Sequence, residues 1–166
     1  CQAIGFKTLF YDPYLTAVQV KLLRSTQVTY CGDLLQQSDI VSLHCPLNAE
    51  TKKMVNKDFI AQMKKGSSLV NTARGGLIAD LSDIEDALKS HHLNSVFLDV
   101  LPSEPPSDHP LIASWRKNEV GVSGRLIINP HAAYYSSESS YEQRVLVAQN
   151  ALGILNGKSP ENIVKY

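Results

Sequence analysis

Three residues in this sequence have the types needed to grip an organic acid and move a proton: Arg74, Glu104 and His131. Arginine presents a planar fork that holds a carboxylate through two parallel hydrogen bonds. Histidine, with an unperturbed pKa of ~6.5, gives or takes a proton at neutral pH. A neighbouring carboxylate raises that pKa and fixes the ring's tautomer. Arg74 lies in Leu69-Val70-Asn71-Thr72-Ala73-Arg74-Gly75-Gly76, an apolar run that ends in a polar turn. The two glycines let the backbone turn sharply and approach a ligand closely. Glu104 lies in the proline-rich stretch Leu101-Pro102-Ser103-Glu104-Pro105-Pro106, whose prolines restrict their predecessors and stiffen the loop. His131 follows Asn129-Pro130 and precedes two alanines, which suits a side chain aimed into a cleft. Two of them also have a plainer reading: Arg74 as a surface arginine in an ordinary turn, and His131 as a strand-end histidine satisfied by backbone.

The elements that must position these residues are legible from apolar periodicity. Strands are expected at Lys7–Asp12, Val28–Tyr30, Ile40–Cys45, Ser67–Ala73, Ser95–Val100 and Leu126–Asn129. The start of the third is apolar enough for a strand covered on both faces. Helices are expected at Leu15–Arg24, Asp33–Ser38, Lys57–Lys64 and Asp83–Ser90, the last capped by Asp80 or Ser82. Phe59, Ile60 and Met63 form one inner face, and Ile84, Ala87 and Leu88 another. Leu111–Trp115 reads as a short packed piece, and Val120–Arg125 as a loop or minor hairpin. Ser136 opens a long helix to about Leu155, with Val145, Leu146, Ala148, Ala151 and Leu155 as its apolar stripe. Alternating strands and helices imply an α/β fold with a doubly wound parallel sheet. Ligands of such sheets sit beyond the carboxyl ends of the strands. Asp12, Cys45-Pro46, Thr72-Arg74, Asp99 and His131 all fall there, so they are expected to edge one crevice. Asp12, at the tip of an early strand, is placed to bond the ribose hydroxyls of NAD and to repel the extra phosphate of NADP.

Composition excludes several classes. Of 166 residues, 16 are basic and 16 acidic, with no basic stripe for nucleic acid. No apolar run is long enough for a membrane span. The three cysteines, Cys1, Cys31 and Cys45, form no CxxC, so neither a disulfide scaffold nor a zinc site is expected, and a reducing, cytoplasmic setting is the default. His91-His92 ends a helix, where a cation is favoured by the dipole, and no metal role is assigned to it. Cys1-Gln2-Ala3-Ile4-Gly5 reads as the end of a helix closed by glycine, as though the chain begins in mid-element and belongs to something longer.

The motifs Asn71-Thr72-Ala73-Arg74-Gly75-Gly76, Leu98-Asp99-Val100 with Glu104-Pro105, and Asn129-Pro130-His131-Ala132-Ala133 resemble those of the D-isomer-specific 2-hydroxyacid dehydrogenases. Phe10-Tyr11-Asp12-Pro13-Tyr14, Leu43-His44-Cys45-Pro46-Leu47-Asn48 and His131-Ala132-Ala133-Tyr134-Tyr135-Ser136 resemble the C-terminal-binding-protein branch. The resemblance spans essentially the whole chain. It implies a Rossmann-type NAD-binding domain over 1–157, with 158–166 as a tail toward a separate substrate domain. It implies hydride transfer between NAD(H) and a small D-2-hydroxy or 2-keto acid. Arg74 would bind the substrate, and His131, paired with Glu104, would be the acid and base. Asp12, Cys45, Pro46, Asn48, Thr51, Thr72, Ala73, Arg74, Asp99, His131 and Ala133 would contact the cofactor. A homodimer of the intact protein is also implied.

The departures are as specific. None of the nine glycines takes the GxGxxG spacing of the phosphate loop, which in the family lies on the first strand-to-helix turn, upstream of Cys1. The first strand and the substrate domain are missing with it. The corepressor branch usually carries Trp where Tyr134 stands. Two alternatives therefore stand beside the enzyme: an NAD(H)-sensing corepressor-like scaffold, for which the nucleus is an alternative to the cytoplasm, and an inactive truncated remnant.

Overall fold

The computed structural model describes residues 1–106, 108–160 and 163. Residues 161, 162 and 164–166 of the expected tail lie outside the described residues. The chain divides into two compact units, Cys1–Pro130 and His131–Tyr166.

In the first unit, one 3₁₀ turn at Gln2–Ile4 closes on Gly5, whose φ of 89° is the left-handed cap expected of that glycine. Strand β1 (Leu9–Phe10) leads to α1 (Ala17–Leu22), then β2 (Thr26–Gln27), α2 (Cys31–Gln37) and β3 (Ile40–Leu43). Helix α3 (Lys57–Gln62), β4 (Ser67–Asn71), α4 (Leu81–Lys89), β5 (Leu93–Leu98), α5 (Pro110–Arg116) and β6 (Leu126–Ile128) follow. Every strand pair is parallel: β1 with β2 in a two-stranded sheet, and β3-β4-β5-β6 in a four-stranded one. Parallel neighbours need crossovers, and α3, α4 and α5 supply them. The fold is thus a parallel α/β sheet of Rossmann type.

Register is the property that positions the site. Leu43 pairs with Asn71, Asn71 with Leu98, and Leu98 with Ile128. The last residues of β3, β4, β5 and β6 therefore stand level in one row, and the loops that follow leave from one edge.

The core lies on one face of the four-stranded sheet. Val41, Leu43, Leu69, Val96, Leu98 and Leu126 point into it and meet Phe59 and Ile60 of α3, Ile84 and Leu88 of α4, and Leu111 and Ile112 of α5. The alternate residues Ile40 and Ile127 remain 52 % and 43 % exposed. The expectation that β3 is covered on both faces is thus corrected. Its period-2 pattern decides which side chains enter the core, and the buried layer packs against one side.

Caps follow local chemistry. Asp80, not Ser82, caps α4 by accepting the Ser82 N–H at 2.8 Å. Asn56 caps α3 through the Phe59 N–H. The second strand lies two residues earlier than Val28–Tyr30, although Val28 N–H still reaches the Phe10 carbonyl at 2.9 Å. The packed piece at Leu111–Trp115 is helix α5, with Pro at its first turn. The stretch before β6 is a set of turns rather than a hairpin, stapled by Arg125, whose guanidinium donates to the carbonyls of Leu88, Leu93, Asn94 and Gly121. Helix α1 buries none of its residues, so its expected amphipathic face does not meet the core.

The second unit holds α6 (Ser137–Leu155), opened by a reciprocal capping box between Ser136 and Ser139. Its expected stripe is not buried: Leu146 and Leu155 are exposed, as are Val147, Leu152 and Ile154. Apolar residues encircle this helix, so no single side chain row defines an inner face.

Candidate active site

The turn carrying Arg74 is built on a buried asparagine. Asn71, the last residue of β4, is fully buried. Its Oδ1 accepts the Ala73 N–H at 3.0 Å, and its Nδ2 donates to the Arg74 carbonyl, also at 3.0 Å. Both ends of one amide thus fold the chain back on itself. Its own carbonyl accepts the Asp99 N–H at 2.9 Å, joining the ends of β4 and β5. Past Arg74, a 3₁₀ turn at Gly75–Leu77 drives Leu77 and Ile78 into the core. The Arg74 side chain is exposed and donates from Nη1 to the Ala73 carbonyl at 2.7 Å.

The loop after β5 holds Glu104. Asp99 is buried beside the strand end, and Leu101 is anchored in the core. The Leu101 N–H donates to Glu104 Oε1 at 2.8 Å, so the carboxylate is held by its own loop, as the prolines led us to expect.

The loop after β3 is likewise tied to itself. Thr51 Oγ1 donates to the Pro46 carbonyl at 2.6 Å, and Asn48 Oδ1 accepts the N–H groups of Glu50 and Thr51 at 2.9 and 3.0 Å. Asn48 and Thr51 therefore shape the turn. Lys53 N–H reaches the Gly76 carbonyl at 2.9 Å and links this loop to the arginine turn. Burial pushes the Cys45 thiol above its usual pKa, and its Sγ lies 3.9 Å from Met54 Sδ. A protonated, half-buried thiol is a packing group rather than a nucleophile. After β1, Asp12 Oδ1 accepts the Tyr14 N–H at 2.9 Å, and Tyr14 donates its hydroxyl to Glu50, which raises the phenol above its ordinary value. A carboxylate offers about four acceptor sites, so Asp12 keeps capacity for a ribose hydroxyl.

His131 and Ala133 open the second unit. His131 adopts a left-handed backbone with φ 54°, and its ring meets Tyr134 edge-to-face at 6.1 Å. For a non-glycine residue that conformation costs about 1–3 kcal/mol and gathers at functional sites. Within the first unit the structure brings together Thr72, Ala73, Arg74, Asp99 and Glu104 through the paired ends of β4 and β5, with Pro46, Asn48 and Thr51 on the adjoining loop. Sequence reasoning missed Asn71 and Leu101. The signal for Asn71 was a single amide closing an apolar strand.

A second cluster has the look of a hydrolytic triad and does different work. His109 Nε2 lies 3.3 Å from Ser82 Oγ and 3.7 Å from Asp80 Oδ1. Its Nδ1, however, accepts the Leu111 N–H at 3.1 Å and caps α5. The neutral ring then carries its proton on Nε2, so it donates toward Ser82 and Asp80 and is no base for the serine. Among the described residues no three His, Cys, Asp or Glu side chains are gathered to hold a metal. His92 Nε2 is hydrogen-bonded to the Ile60 carbonyl at 2.8 Å. Among the described residues no helix is long and apolar enough to cross a membrane.

A parallel sheet with its strand ends level, and polar turns on that edge, defines a nucleotide-binding α/β domain. The profile of the D-isomer specific 2-hydroxyacid dehydrogenase, NAD binding domain, matches residues 1–133, and the chain belongs to that family. It is 38 % identical over 165 residues to a hydroxypyruvate reductase of Blautia hydrogenotrophica, covering 98 % of this chain and 47 % of that protein. It is 32 % identical over 163 residues to a D-3-phosphoglycerate dehydrogenase of Methanocaldococcus jannaschii, covering 98 % of this chain and 29 % of that one. Among solved structures, D-lactate dehydrogenase with NAD+ from Lactobacillus jensenii superposes with a TM-score of 0.83 at 27 % identity, over 99 % of this chain and 50 % of that chain. The chain spans about half or less of the length of these relatives. They are enzymes, and they lend no support to the corepressor-like branch or to the inactive remnant.

Proposed function

We propose that the complete protein is an NAD-dependent oxidoreductase that interconverts a small D-2-hydroxy acid and its 2-keto acid. The observation that carries this reading is the arginine turn: Asn71 holds Arg74 at the level edge of a parallel sheet, beside the loop that bears Glu104. Arg74 grips the substrate carboxylate. His131 supplies the proton in reduction and takes it in oxidation, with Glu104 as its carboxylate partner. Bound NAD supplies or accepts the hydride. Asp12 binds the adenosine ribose, and Cys45, Pro46, Asn48, Thr51, Thr72, Ala73, Asp99 and Ala133 line the remainder. The family assignment, the motifs and the chemistry of the residues support these roles. A cytoplasmic homodimer is the accompanying expectation for the intact protein, to be checked by sedimentation.

The test is NADH oxidation by the complete protein with glyoxylate or hydroxypyruvate. Turnover is expected, and Arg74→Ala and His131→Ala are each expected to abolish most of it. Full activity of either variant would remove that residue from its assigned role. Activity in both would sink the reading.

A further inference from the structure

Gly75 stands where no other residue fits, and the reason is space. A Cβ built on it would lie 1.9 Å from the Leu101 carbonyl oxygen, 2.1 Å from the Leu101 carbonyl carbon and 2.8 Å from Pro102 N. These are backbone atoms, so no rotamer change relieves the contact. The same Leu101 donates its N–H to Glu104 Oε1. One residue therefore rests its carbonyl on the arginine turn and holds the glutamate with its amide.

We propose that Gly75 is a positioning residue that fixes the height of the Glu104 loop against the Arg74 turn. This rests on the oxidoreductase reading above. An added Cβ must displace either the turn or the loop. The turn is pinned by the buried Asn71, Leu77 and Ile78. In the loop, Pro102 through Pro106 are exposed. The Leu101 side chain stays in the core, so the Leu101–Pro102 peptide tilts and the exposed stretch after it carries Glu104 away. Gly76 is the natural control. The atoms nearest a Cβ there are Leu47 Cδ2 at 2.9 Å, Cδ1 at 3.3 Å and Cγ at 3.7 Å, all on an exposed side chain that can swing aside.

The test uses Gly75→Ala, Gly76→Ala, Glu104→Ala and the Gly75→Ala/Glu104→Ala double variant of the complete protein, with NADH affinity, KM and kcat measured for each. Gly75→Ala is expected to lower kcat about ten- to hundredfold, as misplacement of a positioned group does, while NADH affinity stays unchanged. Added to Glu104→Ala, it is expected to cost nothing more, because it acts through that residue. Gly76→Ala should retain wild-type kcat. Wild-type kcat in Gly75→Ala, or losses that multiply in the double variant, would overturn the proposal. If Gly75→Ala does not fold, hydrogen exchange of the 99–106 peptide in Glu104→Ala decides. Faster exchange at the Leu101 amide is expected, and unchanged exchange overturns the link. Full activity of Arg74→Ala and His131→Ala would mark the failure of the underlying reading instead.

Discussion

Asn71 holds Arg74 by its main chain and leaves the guanidinium to the outside. The Nδ2-to-carbonyl bond of 3.0 Å reaches forward three residues, and the Oδ1 bond to Ala73 N–H closes the loop beneath it. The residue that would meet substrate is thus set by one that never can.

Replacing Asn71 should therefore harm both stability and substrate binding. Asn71→Ala removes two hydrogen bonds at a buried position, at a cost of about 1–3 kcal/mol. Asn71→Asp keeps the acceptor for Ala73 but turns an oxygen toward the Arg74 carbonyl. Both variants are expected to unfold at lower urea and to raise the KM for the keto acid, read from denaturation curves and initial rates. An unchanged KM in a folded variant would show that the turn keeps its shape without the amide.

Arg74→Lys keeps the charge and loses the planar fork. If Arg74 binds a carboxylate through two bonds, the variant should lose about 1–3 kcal/mol of binding. That appears as a rise in KM of about five- to 150-fold, with NADH affinity unchanged in fluorescence titration.

Cofactor choice should follow Asp12. A carboxylate at the ribose repels the phosphate of NADP, so the wild type should prefer NADH. Asp12→Ser removes that charge and should narrow the preference. Equal affinities for both nucleotides in the wild type would refute the assignment.

Adjacent residues on α4 should behave oppositely. Leu88 is fully buried, and Leu88→Ala should cost about 2–5 kcal/mol. Lys89 pairs with Glu85 at 2.5 Å, but its own side chain is 58 % exposed and solvent screens the pair, so Lys89→Ala should shift the melt far less than Leu88→Ala. Paired thermal melts separate the two.

Asp80 gives a pH-dependent term. Its carboxyl lies below the ordinary value, chiefly because it accepts the Ser82 N–H at the start of α4. A carboxyl with a depressed folded pKa contributes stability above its unfolded pKa of ~3.9 and loses it as pH falls through the folded value. Asp80→Ala should cost about 1 kcal/mol at pH 7, as loss of an N-cap does, and the difference should shrink in melts taken well below pH 4, where the protonated carboxyl caps as a neutral group. A constant difference would assign the loss to something other than the carboxylate.

Much of this was legible beforehand. Apolar runs marked β3 to β6, and helical spacing found Phe59, Ile60, Ile84 and Leu88, because burial is what those patterns encode. Short β2 was misplaced because two paired residues leave almost no periodicity. The stripe on α6 was visible as composition, but apolar residues on every side give no inner face to read. Asn71 was quoted as part of a motif and not as its keystone. Its importance lies in a bond to a carbonyl three residues on, which exists only once the turn has folded. From sequence, Gly75 allows a sharp turn and a close approach to a ligand, whereas in the structure the group pressed against it is the peptide between Leu101 and Pro102.

The row Leu43, Asn71, Leu98, Ile128 makes the site a matter of counting. Deleting one residue inside β4 would draw its end back by about 3.3 Å and turn every following side chain to the opposite face. Asn71 would leave the core, and the arginine turn would lose its level with the loops on either side. The strands beneath them tolerate a change of letters but not a change of length.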